Sequence, residues 1–452
     1  MNKSLKYAIF TIVMFTLVVS PSKNLNAAEK KIRSSIDQIK TELEQLKQEY
    51  LKKIGELEER IAQTEQISEA IETEVEDLAV EVSQKSNQKA ANTFNPGIGM
   101  ILNGRLVNSS DSFNFELPGY FLGEEAGPGD QGLQLGESEL NMSANVDDKF
   151  YASSTIAFGE GAEVEEAYLQ TLNLGNGFNV KFGRFFSDIG YLANKHTHTD
   201  DFSNRPLVYE AFLGGQFGDD GVQVTWLAPS DVYWESGFEL FRGDSFPAAG
   251  AKNSGLGTLT VFSHIGSDIG DNQSWRAGIS YLDADVDQLA NEAGSNFSEG
   301  SFSGTNKSII ADFIYKWAPT GNRNIQEFKL QGEYISSDKK GTYSNILLSD
   351  AGLNYNQSGW YLEGVYRFAQ QWRLGVRSSQ LSSNKLPSIF DASFLDTSNH
   401  SPKQQSLMLD WTNSEFSRIR LQYDLNNLDG NNENVWILQY IAAFGAHGTH
   451  SF

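Results

Sequence analysis

From Asn92 onward the chain alternates with a period of two, and that rhythm constrains its fold more than any other feature. Gly136, Ser138, Leu140, Met142, Ala144 and Val146 fall on one face of an extended segment, and Glu137, Glu139, Asn141, Ser143 and Asn145 on the other. About sixteen such stretches follow one another, from 98–107 to 432–444, including 273–282, 308–316, 326–336 and 358–368. No segment beyond the first twenty residues is apolar for long enough to cross a bilayer as a helix, which takes about 20 residues.

Buried sandwich strands alternate too, so the connections decide the architecture. Even-numbered connections are short and rich in turn residues: Asp147-Asp148, Gly175-Asn176-Gly177, Ala228-Pro229-Ser230-Asp231 and Gln370-Gln371. Odd-numbered ones are mostly long, at about 25, 4, 34, 15, 25, 21, 23 and 7 residues. An even strand count with short turns at one rim and long loops at the other predicts an all-β fold, a transmembrane antiparallel β-barrel. Phe150, Ile156 and Phe158, then Phe178, Val180 and Phe182, and finally Trp436, Leu438, Tyr440, Ala442 and Phe444 are the expected lipid-facing rows. The terminal Phe452, reached in two-residue steps from Phe444, is expected to act as an outer-membrane assembly signal.

The first ninety residues read differently. Lys3 and Lys6 precede an uncharged run from Tyr7 to Ser20, and Ala27-Ala28 closes a polar stretch, so 1–28 is expected to be a signal peptide. Residues 29–91 contain no Pro and a single Gly in their helical stretch. Ile32, Ile36, Ile39, Leu43, Leu46 and Tyr50 keep alternating spacings of 4 and 3, resumed by Ile54, Leu57 and Ile61 and by Ile71, Val75, Leu78 and Val82. That pattern predicts an N-terminal α-helical coiled coil in the periplasm, with one stutter after Tyr50. Residues 92–452 would form the barrel.

Composition removes several functions. With no Cys, disulfide scaffolds and thiol chemistry are excluded. Asp and Glu outnumber Lys and Arg 58 to 35, which argues against nucleic acid as a partner. Phosphate-cradling, dinucleotide and zinc-protease motifs are absent, and Glu137, Glu139, Glu165 and Glu166 read as lumen-lining carboxylates, so no enzyme is expected. The longest connection, 186–219, lacks alternation and is expected to fold inward and narrow the lumen. Its charged and polar residues, Asp188, Lys195, His196, His198, Asp200, Asp201, Arg205 and Glu210, form the candidate constriction. His196, His198 and Asp200 share one side of an extended segment, a two-His, one-carboxylate arrangement suited to a transition metal. His447 and His450 are further candidate ligands.

Several stretches carry a family resemblance: LGESELNMSANVDDKFY (135–151), VEEAYLQTL (164–172), KFGRFFSDIGYL (181–192), HTHTDDFSNRPLVYEAFLGGQFGDDGVQVTWLAP (196–229) and ILQYIAAFGAHGTHSF (437–452). They resemble a family of Gram-negative outer-membrane proteins related to the sixteen-stranded trimeric porins, the phosphate-selective porins being the nearest functional relatives. Members are sometimes labelled zinc-regulated outer-membrane receptors, which would implicate His196 and His198. The resemblance and the pattern together lead to an expected outer-membrane porin, a homotrimer through its coiled coil. Small hydrophilic solutes or ions would diffuse passively through it without a cofactor, and lipid would surround it. A zinc channel or receptor is the alternative. A third reading is an envelope tether whose coiled coil contacts the cell wall.

Overall fold

The computed structural model describes residues 40–41, 44–45, 47–48, 51–53 and 55, and most of 96–445. Those ten early residues are helical and exposed. The expected signal peptide, every seam residue of the expected coiled coil, His447, His450 and Phe452 lie outside the described residues.

The remainder is a single antiparallel sheet closed on itself. Its strands are β1 (Gly97–Ser109), β2 (Gly132–Leu135), β3 (Ser138–Asn145), β4 (Phe150–Phe158), β5 (Ala162–Thr171), β6 (Phe178–Phe186), β7 (Gly218–Leu227), β8 (Tyr233–Phe241) and β9 (Thr258–Ile269). They continue as β10 (Gln273–Ala290), β11 (Gly300–Trp317), β12 (Glu327–Asn345), β13 (Ala351–Ala369), β14 (Trp372–Ser383), β15 (Lys403–Ser414), β16 (Ser417–Asn427) and β17 (Glu433–Gly445). Short β2 and β3 both pair with β1, at Gly104↔Leu135 and Ile101↔Glu139, with the register slipping by one residue between them. They are two pieces of one stave, so the seventeen strands make sixteen staves. The ring closes where β1 meets β17 from Gly99↔Gly445 to Ser109↔Val435. Closure leaves no sheet edge, the condition for strands in a hydrocarbon medium, where each unpaired backbone group costs several kcal/mol.

Side-chain alternation sorts into an apolar outside and a crowded inside. On β13, Trp360, Leu362, Tyr366 and Phe368 are exposed, while Tyr361, Glu363 and Val365 between them are buried. On β17, Trp436, Leu438 and Tyr440 are exposed, and Ile437, Gln439 and Ile441 are buried. Trp234, Trp317, Phe368, Trp372, Phe416 and Phe444 are exposed near the short turns, forming an aromatic girdle. From Phe368 to Trp360 the strand spans roughly 26 Å at about 3.3 Å per residue, close to the height of a barrel's apolar band.

Beyond Trp360 the outer face turns polar, yet pairing continues. β10 and β11 pair as far as Ala290↔Ser301, and β12 and β13 as far as Tyr343↔Ala351. The expected long loops at 283–307 and 337–357 are therefore largely strand. Their outward residues, such as Asp283, Lys307, Asp338 and Lys340, stand above the lipid, where an outward face has no reason to be apolar. Asp283 and Lys307 pair across the two strands at 3.1 Å. Alternation fades where the bilayer ends, not where the strand ends.

Candidate functional site: the inward segment and its glutamate–histidine cluster

The connection between β6 and β7, residues 187–217, turns into the barrel. A short helix, α1 (Leu207–Leu213), starts after Pro206 and stops at Gly214, whose φ of 64° gives the left-handed cap that ends it. All seven residues of α1 are buried. Leu192, Leu207, Val208, Tyr209 and Phe212 share an apolar core with Phe185, Phe241, Ile310, Ile335, Tyr361 and Leu381 from the wall. This core occupies part of the lumen, so the interior is not the simple polar lining that alternation alone predicts. Gly359 makes the approach possible. A Cβ there would sit 2.7 Å from Val208 Cγ1 and 2.5 Å from Leu381 Cδ2.

Polar side chains of the wall fasten the segment. Glu333 accepts the Tyr191 N–H at 3.0 Å, the Leu192 N–H at 3.2 Å, and the Tyr209 and Tyr361 hydroxyls at 2.9 and 2.8 Å. Glu239 accepts the Asp188 N–H at 2.9 Å as well as the Ser187 and Thr260 hydroxyls. Across the lumen, Arg377 donates to the Asn204 carbonyl at 2.7 Å, Arg418 to the His198 carbonyl at 2.6 Å and Arg420 to the Asp200 carbonyl at 2.7 Å. Arg373 meets Asp201 at 2.8 Å and also Asp410. Displacing the segment would break all of these bonds at once, so they act together as a clasp.

The residues expected to form the constriction divide into two groups. His196, His198, Asp200, Asp201, Arg205 and Glu210 are all buried. Asp200 is held by Arg205 at 3.0 Å, Asp201 by Lys329 and Arg373, and Glu210 receives the Gly127 N–H at 3.4 Å. Asp188 and Lys195 alone of the eight keep partial exposure. Lys195 Nζ lies 3.1 Å from the centre of the Tyr191 ring. Burial, joined by the neighbouring Lys329, lowers the Lys195 ammonium to about 7.

His196 and His198 do come together, but Asp200 does not join them. A 3₁₀ turn at Thr197–Thr199 replaces the extended run, which sends Asp200 toward Arg205. The carboxylates around the imidazoles come from the wall instead. His196 Nδ1 lies 3.1 Å from Glu139 Oε1 and 3.3 Å from Glu165 Oε2, and Nε2 lies 3.1 Å from Glu166 Oε2. His198 Nδ1 lies 2.7 Å from the same Glu139 oxygen, and Thr197 Oγ1 donates to Glu137 at 2.5 Å. Adjacent Glu165 and Glu166 would face opposite ways on a regular strand. A bulge places the pairing of Thr155 with Glu166 next to that of Ile156 with Val164, leaving Glu165 unpaired and free to turn inward as well. Burial disfavours charge on His196, but the hydrogen bonds that Glu139, Glu165 and Glu166 accept from it outweigh burial and hold the imidazole well above its usual range.

Fold and interior together define a membrane-spanning, sixteen-stave barrel with a segment clasped inside it. An uncharacterised protein of Aquifex aeolicus (strain VF5) is 32% identical over 398 residues, covering 81% of each chain, and this chain belongs to the same family. No family model matches the sequence. Among solved structures, a loop-deletion form of OmpT of Vibrio cholerae is similar over 77% of this chain and 99% of that one, at 12% identity and a TM-score of 0.49. The channel DcaP of Acinetobacter baumannii is similar over 77% and 96%, at 12% identity and a TM-score of 0.48. An anion-selective porin from Comamonas acidovorans covers 77% and 99%, at 11% identity and 0.47.

Proposed function

We propose that the protein is an outer-membrane channel through which small hydrophilic solutes and ions diffuse passively, in a lumen narrowed by the inward segment. One observation carries this reading: the segment buries the lumen face of β10–β17, whereas beside β4–β6, where His196 meets Glu165 and Glu166, the lumen face keeps exposed ground. Lumen-facing Asn306, Gln331, Glu333, Arg377, Gln404 and Gln439 are buried, whereas Tyr151, Tyr168, Gln170, Asn179 and Lys181 keep partial exposure. On the segment, Asp188, Tyr191 and Lys195 keep theirs, and Asn194 is exposed. The passage runs between these two sets, with charge of both signs to replace part of a solute's hydration. Three copies would assemble, each with its own lumen.

The test is conductance in planar bilayers, where ohmic steps grouped in threes are expected and an absence of conductance would refute the channel. Lys181→Glu removes a cation from the proposed passage and adds an anion, so it should shift the reversal potential toward cations. An unshifted potential would move the passage elsewhere.

A further inference from the structure

We propose that Glu137, Glu139, Glu165 and His196 form a binding site for one divalent cation of the first transition row, which staples the inward segment to the barrel wall. One ligand atom from each of the four residues lies within 4.8 Å of all the others. Around a single ion with bonds of about 2.1 Å, adjacent ligand atoms stand about 3 Å apart and opposite ones about 4.2 Å, so small side-chain adjustments close the site.

Two observations beyond the carboxylate cluster point to a cation. The first is an unmatched buried acceptor: Glu139 is 1% exposed, and its Oε2 has no hydrogen-bond partner among the described residues. None of Glu137, Glu139, Glu165 and Glu166 is in an ion pair with Lys or Arg among the described residues; their ion-pair partners are the two imidazoles. An imidazole that binds a metal is neutral, so His196 as a ligand offsets none of the carboxylate charge gathered here, and a divalent ion supplies the missing positive charge.

The second observation is the orientation of His196. Its Nδ1 lies between Glu139 and Glu165, while its Nε2 is set against Glu166 Oε2 at 3.1 Å. A metal-bound imidazole uses one nitrogen as ligand and donates its other N–H to a carboxylate, which fixes the tautomer and strengthens the ligand. Glu166 fills that supporting role, and His198 likewise braces Glu139 at 2.7 Å. Carboxylates suit Mn²⁺ and an imidazole suits Zn²⁺ and Fe²⁺, whereas the set contains no thiolate for softer ions. The β5 bulge acquires a purpose here, since without it Glu165 and Glu166 could not both reach His196. Three of the ligands are wall residues and the fourth belongs to the segment, so the ion would bridge the two.

Binding is separable from conduction and is measured first on the full-length protein, purified in detergent, stripped with EDTA and dialysed. Calorimetry with Mn²⁺ and with Zn²⁺, and the electron paramagnetic resonance signal of bound Mn²⁺, should report about one ion per chain. Glu139→Gln and Glu165→Gln preserve side-chain shape and should each weaken binding at least tenfold. Glu166→Gln should weaken it about 10- to 100-fold through the supporting hydrogen bond. Glu235→Gln, on β8 away from the cluster, should leave it unchanged. Heat-modifiable migration on gels reports whether each variant remains a closed barrel. No stoichiometric binding by the folded, unchanged protein would overturn the site and leave His196 as an imidazolium among carboxylates. Equal binding by a folded Glu139→Gln, Glu165→Gln double variant would overturn it too, as would binding of Ca²⁺ but neither Mn²⁺ nor Zn²⁺. Conductance of the stripped protein is recorded in parallel, so loss of the channel and loss of the metal site are told apart.

Discussion

Glu210 sits inside α1 with a carboxyl that burial pushes up to about 8, against 4.5 for a free glutamate. Between those two values the folded chain holds a proton that the unfolded chain has released. Stability linked to this group is therefore fully present below about pH 4.5 and is lost as pH rises toward 8. Glu210→Gln keeps the shape and removes the titration. Thermal unfolding of the two proteins should diverge from pH 5 to pH 9, with the variant gaining about 4–5 kcal/mol on the unchanged protein by the upper end. A difference that does not change with pH would contradict the burial of a protonated carboxyl. Gly359 gives a steric counterpart. Gly359→Val would drive a methyl into Val208 and Leu381, and overpacking of this kind costs about 1–3 kcal/mol, read as a lower unfolding temperature. At this scale the sequence conveyed the kinds of group present but not their partners. His196 and His198 were legible as a pair, whereas Glu139 and Glu165 stand about 30 to 60 positions away and reach them only because three staves curve round one lumen.

Among elements, the inward segment is the one whose conformation depends most on others. Its single helix has seven residues, too few to persist alone, since isolated helices below about 12–15 residues are marginal in water. It persists because its apolar face packs on β12, β13 and β14, and because Glu333 and Glu239 receive its backbone N–H groups. Glu333→Ala would leave the Tyr191 and Leu192 N–H groups without that acceptor, at about 1–3 kcal/mol for each buried donor stranded. Hydrogen exchange in 188–213 should then rise at least tenfold while exchange in β15–β17 stays unchanged. Equal protection throughout would mean that the segment does not depend on this clasp. Its absence of alternation gave away that it leaves the wall. Where it lies once inside could not be read, because the residues that receive it are scattered over most of the strands and look, one at a time, like ordinary lumen polar groups.

For the whole molecule, charge is the property that scales up. Residues 92–452 carry a net charge of about −21, and among the buried lumen groups Arg373, Arg377, Arg418 and Arg420 are engaged with the segment or with Asp410. Cations committed to the clasp do little for passing anions, and the remaining acidity should favour cations. Reversal potentials under a KCl gradient are expected to be cation-preferring at 0.1 M and to approach neutrality near 1 M, where the Debye length falls to about 3 Å. Anion preference at low salt would overturn this assignment of the arginines. The sixteen staves, the short-turn rim and the lipid-facing rows follow from sequence alone, because a two-residue period and turn chemistry are local and the bilayer enforces them on every strand alike. The reach of β10 to β13 beyond the membrane, the filling of the lumen and the meeting of four glutamates with His196 were decided by tertiary structure. They depend on closure of the ring, which brings residues hundreds of positions apart to face one another across a lumen, and no local pattern encodes that distance.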